Sequence, residues 1–330
     1  MSEPVKIFCR GCHSKLDVSD LEPFSRVPCP CCGTQLRVPK RFDRYLLEKV
    51  CGIGGMSKVY RAIEPDLARR VAVKILNPDC PDREKVAERF LGEAQLVARL
   101  NHPGVIPIYN CGSCDGQPFL VMRFMEHGSL EEHIKAGTLP SYPHLLECLT
   151  VVAEGLKFAL ERDNIIHHDV KPGNILLTAE NEAKLGDFDL ADVREEGDEL
   201  SWCDGWASPA YVSPERLFSG CEDHRGDIFS FGVSIYELLG GAAPFGLNGS
   251  VEELLERRRA GAFRPLSDRN DRVSPQLSKL VGRMLAYAPE SRPGYSEIVE
   301  TLQAESEDDV VRPAGSLLSR RPSGLRKTMS

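Results

Sequence analysis

Four cysteines stand as two C-x-x-C pairs, Cys9 and Cys12 in "CRGC" and Cys29 and Cys32 in "CPCC", with sixteen residues between the pairs. One such turn lets two thiolates meet one ion, and two turns complete a tetrahedron around zinc. Four thiolates leave no open position for a substrate, so the ion's role would be structural. Cys31 either replaces a neighbour as ligand or stays free. "CRGCH" also fits the attachment sequence of a c-type haem, but that chemistry needs export and leaves "CPCC" unexplained. The bland alternative is a set of small buried cysteines. Cys111 and Cys114 in "NCGSCDG" lack a second pair and read as a hairpin turn.

A second set of chemistry-bearing residues is strung along the middle of the chain. "CGIGGMSKVY" is Gly-rich, a weak signal alone. After it come Lys74 in "VAVK", Glu93 nineteen residues later, Asp169, Lys171 and Asn174 in "HHDVKPGN", and Asp187 in "KLGDFDLAD". An apolar lead into Asp-Phe-Asp suits a metal-binding carboxylate, yet such triplets arise by chance. The surrounding elements have to decide.

Those elements fall into three zones. Residues 1–40 are Cys-rich with short strand-like runs, "VKIF" and "QLRV". Residues 44–304 carry most of the apolar content. Here "YLLEKVCGIGGMSKVYRAIE" reads as strand, Gly-rich turn, strand, and "RRVAVKIL" as a third strand. Val86, Phe90, Ala94 and Val97 recur at helical spacing, and "LLECLTVVAEGLKFALER" and "DIFSFGVSIYELL" are apolar helices. A strand-rich first part (about 44–125) and a helix-rich second part (about 126–304) make an α+β, two-lobed domain. Residues 305–330 turn polar, rich in Ser, Arg and Pro, and read as a disordered tail.

The 330 residues suffice for one large or two ordinary domains, and 42% hydrophobic with 27% charged is a globular balance. A net charge of -8 argues against general nucleic-acid binding. The opening "MSEPVKIFCRGCH" lacks a signal peptide's apolar core. The most apolar stretch, "FSFGVSIYELLGGAAPFGL", has Glu237 at its middle and reads as a buried helix rather than a membrane span. The expected location is cytoplasmic, without a membrane partner.

Residues 5–39, including Gly33 after the second pair, resemble a zinc ribbon. The ordered series from the Gly-rich turn through Asp187, continued by "SPAYVSPE", "DIFSFG" and "SRP", resembles the protein kinases, and "GIGGM" with "HPGVIPIY" looks most like the bacterial Hanks-type serine/threonine kinases. The resemblance implies a two-lobed kinase fold, ATP and Mg2+ as cofactors beside Zn2+, and protein substrates with Ser or Thr hydroxyls. Gly52, Gly54 and Gly55 would let the backbone approach the ATP phosphates. Lys74, held by Glu93, would bind the α and β phosphates. Asp169 would take the substrate hydroxyl's proton, Lys171 would neutralise the transferring phosphate, and Asn174 and Asp187 would bind magnesium. Val59, Ala72 and Leu176 would cover adenine, with Met122 as gatekeeper and Met125 as a backbone contact. Glu215 with Arg292, and Asp227, match structural positions.

Four departures qualify the resemblance. Ser57 stands for the third loop Gly, His168 for the Arg before the catalytic Asp, Ala207-Ser208 for Gly-Thr, and Asp189 for the Gly after Phe188. None removes a phosphate-, metal- or proton-handling group. A working kinase is the expectation, and its rival is a pseudokinase scaffold. Arg at position 168 would pair with a phosphorylated activation loop. The loop here is acidic and offers chiefly Ser201 and Ser208, so activity without loop phosphorylation is expected. Ser319 and Ser323 in the basic tail are candidate self-substrates, and Asp189 is a candidate for adding negative charge beside the metal.

Overall fold

The computed structural model describes residues 4–79, 83–188, 192–193, 209–220 and 222–311. Asp189, Ser201, Ser208, Ser319, Ser323 and the side chain of Glu93 lie outside the described residues.

The chain opens with two small antiparallel hairpins, β1 (Lys6–Phe8) with β2 (Lys15–Asp17), and β3 (Arg26–Pro28) with β4 (Gln35–Arg37). Next come β5 (Lys40–Phe42), β6 (Tyr45–Ile53), β7 (Ser57–Glu64), β8 (Arg69–Leu76), α1 (Arg83–Val97), β9 (Ile108–Cys114) and β10 (Gln117–Arg123). The strands β5 to β10 form one antiparallel sheet in the order β5-β6-β7-β8-β10-β9. Its two faces follow from alternation along β8. Val71, Val73 and Ile75 join Tyr45, Leu47 and Phe119 on the outer face, and Leu76 packs with Phe90 and Ala94 of α1 on the inner one. Asp115 and Gly116, both at positive φ, make the two-residue turn between β9 and β10, so "NCGSCDG" is a hairpin as expected.

The expected boundary at residues 40–44 falls inside this sheet. Lys40 and Phe42 pair with Leu47 and Tyr45, and Phe42 lies in the outer-face core. Phe24, from the Cys-rich segment, stacks on Tyr60 of β7 with ring centroids 6.1 Å apart. Arg10 and Arg61 flank Glu48 of β6 as ion pairs at 3.3 and 2.7 Å. Residues 4–40 thus pack against the small lobe through Phe24 and Arg10.

The large lobe holds β11 (Gly128–Ser129), α2 (Leu130–Ala136), α3 (Tyr142–Asp163), β12 (Ile165–Ile166), β13 (Ile175–Leu177), β14 (Ala183–Leu185), β15 (Asp192–Val193), α4 (Pro214–Ser219), α5 (His224–Gly240), α6 (Val251–Ala260), α7 (Pro275–Met284) and α8 (Tyr295–Val311). Residues 226–239 of α5 are all buried, so this apolar stretch is the core helix anticipated above. It starts where the Asp223 carboxylate accepts the Arg225 amide and stops at Gly241, φ 78°. Among the described residues no helix is long and apolar enough to cross a membrane.

One boundary needs correction. The ordered domain does not end at residue 304, because α8 continues to Val311. Glu305, read as the start of a polar tail, is buried and accepts from the Tyr142 hydroxyl at 2.7 Å and the Ser274 amide at 2.9 Å. A charge in "ESEDD" is therefore a core anchor, which local composition cannot show.

Arg292 ties α4 to the loop before α8. Its side chain is fully buried and meets both oxygens of Glu215, at 2.6 and 2.8 Å. It also donates to the carbonyls of Ala286 and Arg225. Removing one member of such a pair strands the other, at a cost of about 3 kcal/mol or more. Arg292→Met should lower the melting midpoint by roughly 6–12 °C in calorimetry. An unchanged midpoint would show that the pair contributes nothing.

Candidate active site

The small lobe presents its expected residues on one sheet face. Directly paired side chains point the same way, and so do residues two apart on a strand. Val59 pairs with Lys74, Met122 pairs with Ala72, and Ala72 and Lys74 are two apart on β8. The four therefore share the face on which α1 packs. Met125 follows β10 and is buried. The Gly-rich turn is a hairpin tip: Gly52 pairs with Val59, and the Gly54 amide donates to Ser57 O at 2.9 Å. Ser57, in place of the third Gly, is buried and begins β7 without disturbing the pairing. Asn77 straddles this tip. Its amide donates to Met56 O at 2.7 Å and its side chain to Gly55 O at 3.1 Å. No sequence signal marked Asn77, because its role rests on contacts twenty residues apart.

The large lobe supplies the catalytic loop between β12 and β13. Lys171 Nζ donates to Asp169 Oδ2 at 2.6 Å, and Asn174 Nδ2 donates to the same oxygen at 3.0 Å and to Asp169 O at 2.8 Å. Among the described residues, both side-chain contacts fall on Oδ2. With Nδ2 engaged, Asn174 keeps Oδ1 for a cation.

The two lobes meet at Lys74 and Asp187. The buried Lys74 ammonium donates to Asp187 Oδ1, and the Asp187 side chain is 42% exposed. Desolvation would push this carboxyl up; the Lys74 charge overrides it and holds the group below the ordinary Asp value. Asp187 itself takes φ 64°, a left-handed conformation that Asp tolerates better than most residues. Phe188 packs on His167, ring centroids 4.4 Å apart. A cavity lined by Lys74, Phe90, Val97, Met122, Asp187 and Phe188 adjoins this contact. Val59, Ala72, Met125 and Leu176, expected around adenine, are not among its lining residues. Leu176 sits on β13 and is half-buried.

Histidines connect these parts. His167 is fully buried, and burial pushes its pKa down. Its neutral ring takes the Asp169 amide on Nδ1 at 3.2 Å and donates from Nε2 to Gly186 O at 3.1 Å. One imidazole thus fixes the spacing between Asp169 and the segment carrying Asp187. Asp227 of α5 accepts the amides of His167 and His168, both at 2.7 Å. The His168 ring meets the buried Glu222 at 2.8 Å.

The four N-terminal cysteines form a second site. Their sulfurs lie within 4.8 Å of one another, at 3.5 Å for Cys9–Cys32 and 3.7 Å for Cys12–Cys29. Tetrahedral zinc at about 2.3 Å from each thiolate would set them about 3.8 Å apart, so the set fits the ion. The two turns are built alike. His13 and Gly33, at positive φ, donate to the carbonyls of Cys9 and Cys29, and the amides of Gly11 and Cys31 point at Cys9 and Cys29 Sγ at 3.4 Å. The Ser14 hydroxyl and amide, with Cys32, lower the Cys12 thiol to about 6. Cys31 is exposed and outside the cluster.

Comparison with known proteins places this geometry. The model of the protein kinase domain family matches residues 45–302. Serine/threonine-protein kinase PknL of Mycobacterium tuberculosis is 36% identical over 251 residues, covering 76% of this chain and 62% of that protein. Serine/threonine-protein kinase PknB of Mycobacterium leprae is 33% identical over 260 residues, covering 77% of this chain and 41% of the relative. The matched segment thus spans less than two thirds of either relative.

Asn77→Ala tests the anchoring of the Gly-rich tip. One hydrogen bond contributes about 0.5–1.5 kcal/mol, so the dissociation constant of a non-hydrolysable ATP analogue should rise about two- to tenfold in calorimetric titration. Unchanged affinity would exclude the anchor.

Proposed function

Because the chain belongs to the protein kinase domain family, we propose that it is an ATP- and magnesium-dependent serine/threonine protein kinase carrying a structural zinc ribbon. The observation that supports this reading is how the expected side chains meet. Lys74 already meets Asp187 across the cleft, and Asp169 is already oriented by Lys171 and Asn174.

Phosphoryl transfer asks for positioning and charge neutralisation more than for covalent help. The hairpin tip held by Asn77 would lay its backbone over the ATP phosphates, and Lys74 would move from Asp187 toward them. Asn174 Oδ1 and the Asp187 carboxylate would hold magnesium, whose charge offsets that of the phosphates. Asp169 Oδ1 would accept the proton of the attacking Ser or Thr hydroxyl. Lys171, within reach of Asp169, would neutralise the group in flight. The zinc ribbon, with no open coordination position, would serve folding or docking. The pseudokinase reading draws on Asp189, which stands where the family has Gly.

Purified protein should incorporate labelled phosphate from ATP into a serine- or threonine-containing substrate, and Asp169→Ala should lower the rate by about 10²–10⁴-fold. An inactive wild type that Asp189→Gly switches on would establish the pseudokinase reading instead.

Elemental analysis should find one zinc per chain, lost in the Cys29→Ser, Cys32→Ser double variant. Zinc-free wild type, or zinc retained by the double variant, would refute the ribbon.

A further inference from the structure

The kinase resemblance implies an Arg at position 168 that reads a phosphate added to the activation loop. This chain has His168 there, and the His is not idle. Its side chain is fully buried, and Nδ1 lies 2.8 Å from Glu222 Oε1. A carboxylate only accepts, so the proton on this contact sits on Nδ1 of His168. Glu222 is almost fully buried and takes two further donors, the Ser213 hydroxyl at 2.5 Å and Arg216 Nη1 at 3.0 Å. Burial would raise this carboxyl, but His168, Arg216 and Ser213 outweigh it and hold Glu222 below the ordinary Glu value. Arg216 Nη1 also donates to His168 O at 2.7 Å, so the guanidinium grips the same residue through its backbone.

A second, independent feature shows that the fold makes room for this carboxylate. A Cβ at Gly226 would lie 1.9 Å from Glu222 Oε2 and 2.3 Å from Cδ. The φ of Gly226 is not in the left-handed region that favours glycine. Its backbone is ordinary helix in the first turn of α5, where Gly costs about 1 kcal/mol against Ala. The missing side chain is the space that Glu222 fills.

We propose that Glu222 is a positioning residue for the phosphoryl-transfer reaction, a fixed internal carboxylate that holds His168, and through it Asp169, where the family uses a phosphate added from outside. The proposal rests on the kinase reading above. Three elements converge on His168: Arg216 of α4 on its carbonyl, Glu222 before α5 on its side chain, and Asp227 of α5 on its amide. Asp169 is the next residue. Because the anion is built into the chain, the catalytic loop is set without loop phosphorylation.

The test uses full-length protein with a peptide substrate, measured well below the melting midpoint. Phosphatase-treated wild type should keep its rate. Glu222→Gln, which preserves shape and removes charge, should lower kcat at least tenfold while KM for ATP and the affinity for a non-hydrolysable ATP analogue stay within about twofold. Gly226→Ala keeps every ionisable group and occupies the space of the carboxylate, and it should show the same split. Either variant at wild-type kcat, a loss shared equally by kcat and nucleotide affinity, or phosphatase treatment that abolishes the wild-type rate would overturn the role while leaving the kinase reading standing. Wild type silent with and without phosphatase would overturn the kinase reading, and this role with it.

Discussion

One buried carboxylate sets the backbone geometry of residues 167–169. Asp227 accepts the amides of two consecutive residues, His167 and His168, at 2.7 Å each. His168, between these amides and Asp169, takes a left-handed φ of 65°. Such a conformation costs a non-Gly residue on the order of 1 kcal/mol or more. Two charge-assisted hydrogen bonds offset it, at about 1.5–3 kcal/mol each. Asp227 sits in the first turn of α5, where helix amides favour a negative charge. Burial still pushes its pKa up, so the carboxylate depends on these donors as much as they depend on it. The long buried helix behind it makes the anchor immobile, and Asp169 inherits that rigidity.

Much of the site was legible because its chemistry fixes residue types and order. Lys74, Asp169, Lys171, Asn174 and Asp187 could be named from their spacing within a kinase-like series, and the structure brings them together in two contacting groups. The cysteine pairs were legible for a similar reason: a tight turn and a tetrahedral ion leave few spacings. Asn77, Glu222 and Arg216 were invisible. Each is an ordinary polar residue in a loop or short helix, and each acquires its role from a partner 22 to 54 residues away. Glu305 failed in the opposite sense, since an acidic run reads as solvated until Tyr142 and Ser274 are seen to surround it.

The Cys-rich segment and the small lobe share a surface that composition had separated. Three-residue strands bury little, so the hairpins of residues 6–37 need either a metal or a neighbour to stay folded. They have a neighbour in the small lobe, where Phe24 covers Tyr60 on the sheet's outer face and Arg10 reaches Glu48. That face opposes the one bearing Ala72 and Lys74. Strands β6 and β7, which end in the Gly-rich tip, carry both the contacts to the Cys-rich segment and the tip itself. The contacts of the Cys-rich segment and the Gly-rich tip therefore share the same two strands.

The departure at position 168 shows why substitutions in a buried cluster cannot be weighed singly. Replacing Arg by His removes a permanent charge and a long side chain from one position. The guanidinium is nevertheless present, supplied by Arg216 from α4 and bonded to the carbonyl of His168. The anion it would seek is present too, as Glu222 in a space that only Gly226 leaves open. Charge, counter-charge and void here belong to three different residues, Arg216, Glu222 and Gly226. Loss of any one would leave an unpaired charge or a clash in the interior, which costs more than the pair ever contributed. Positions 168, 216, 222 and 226 therefore behave as a single unit.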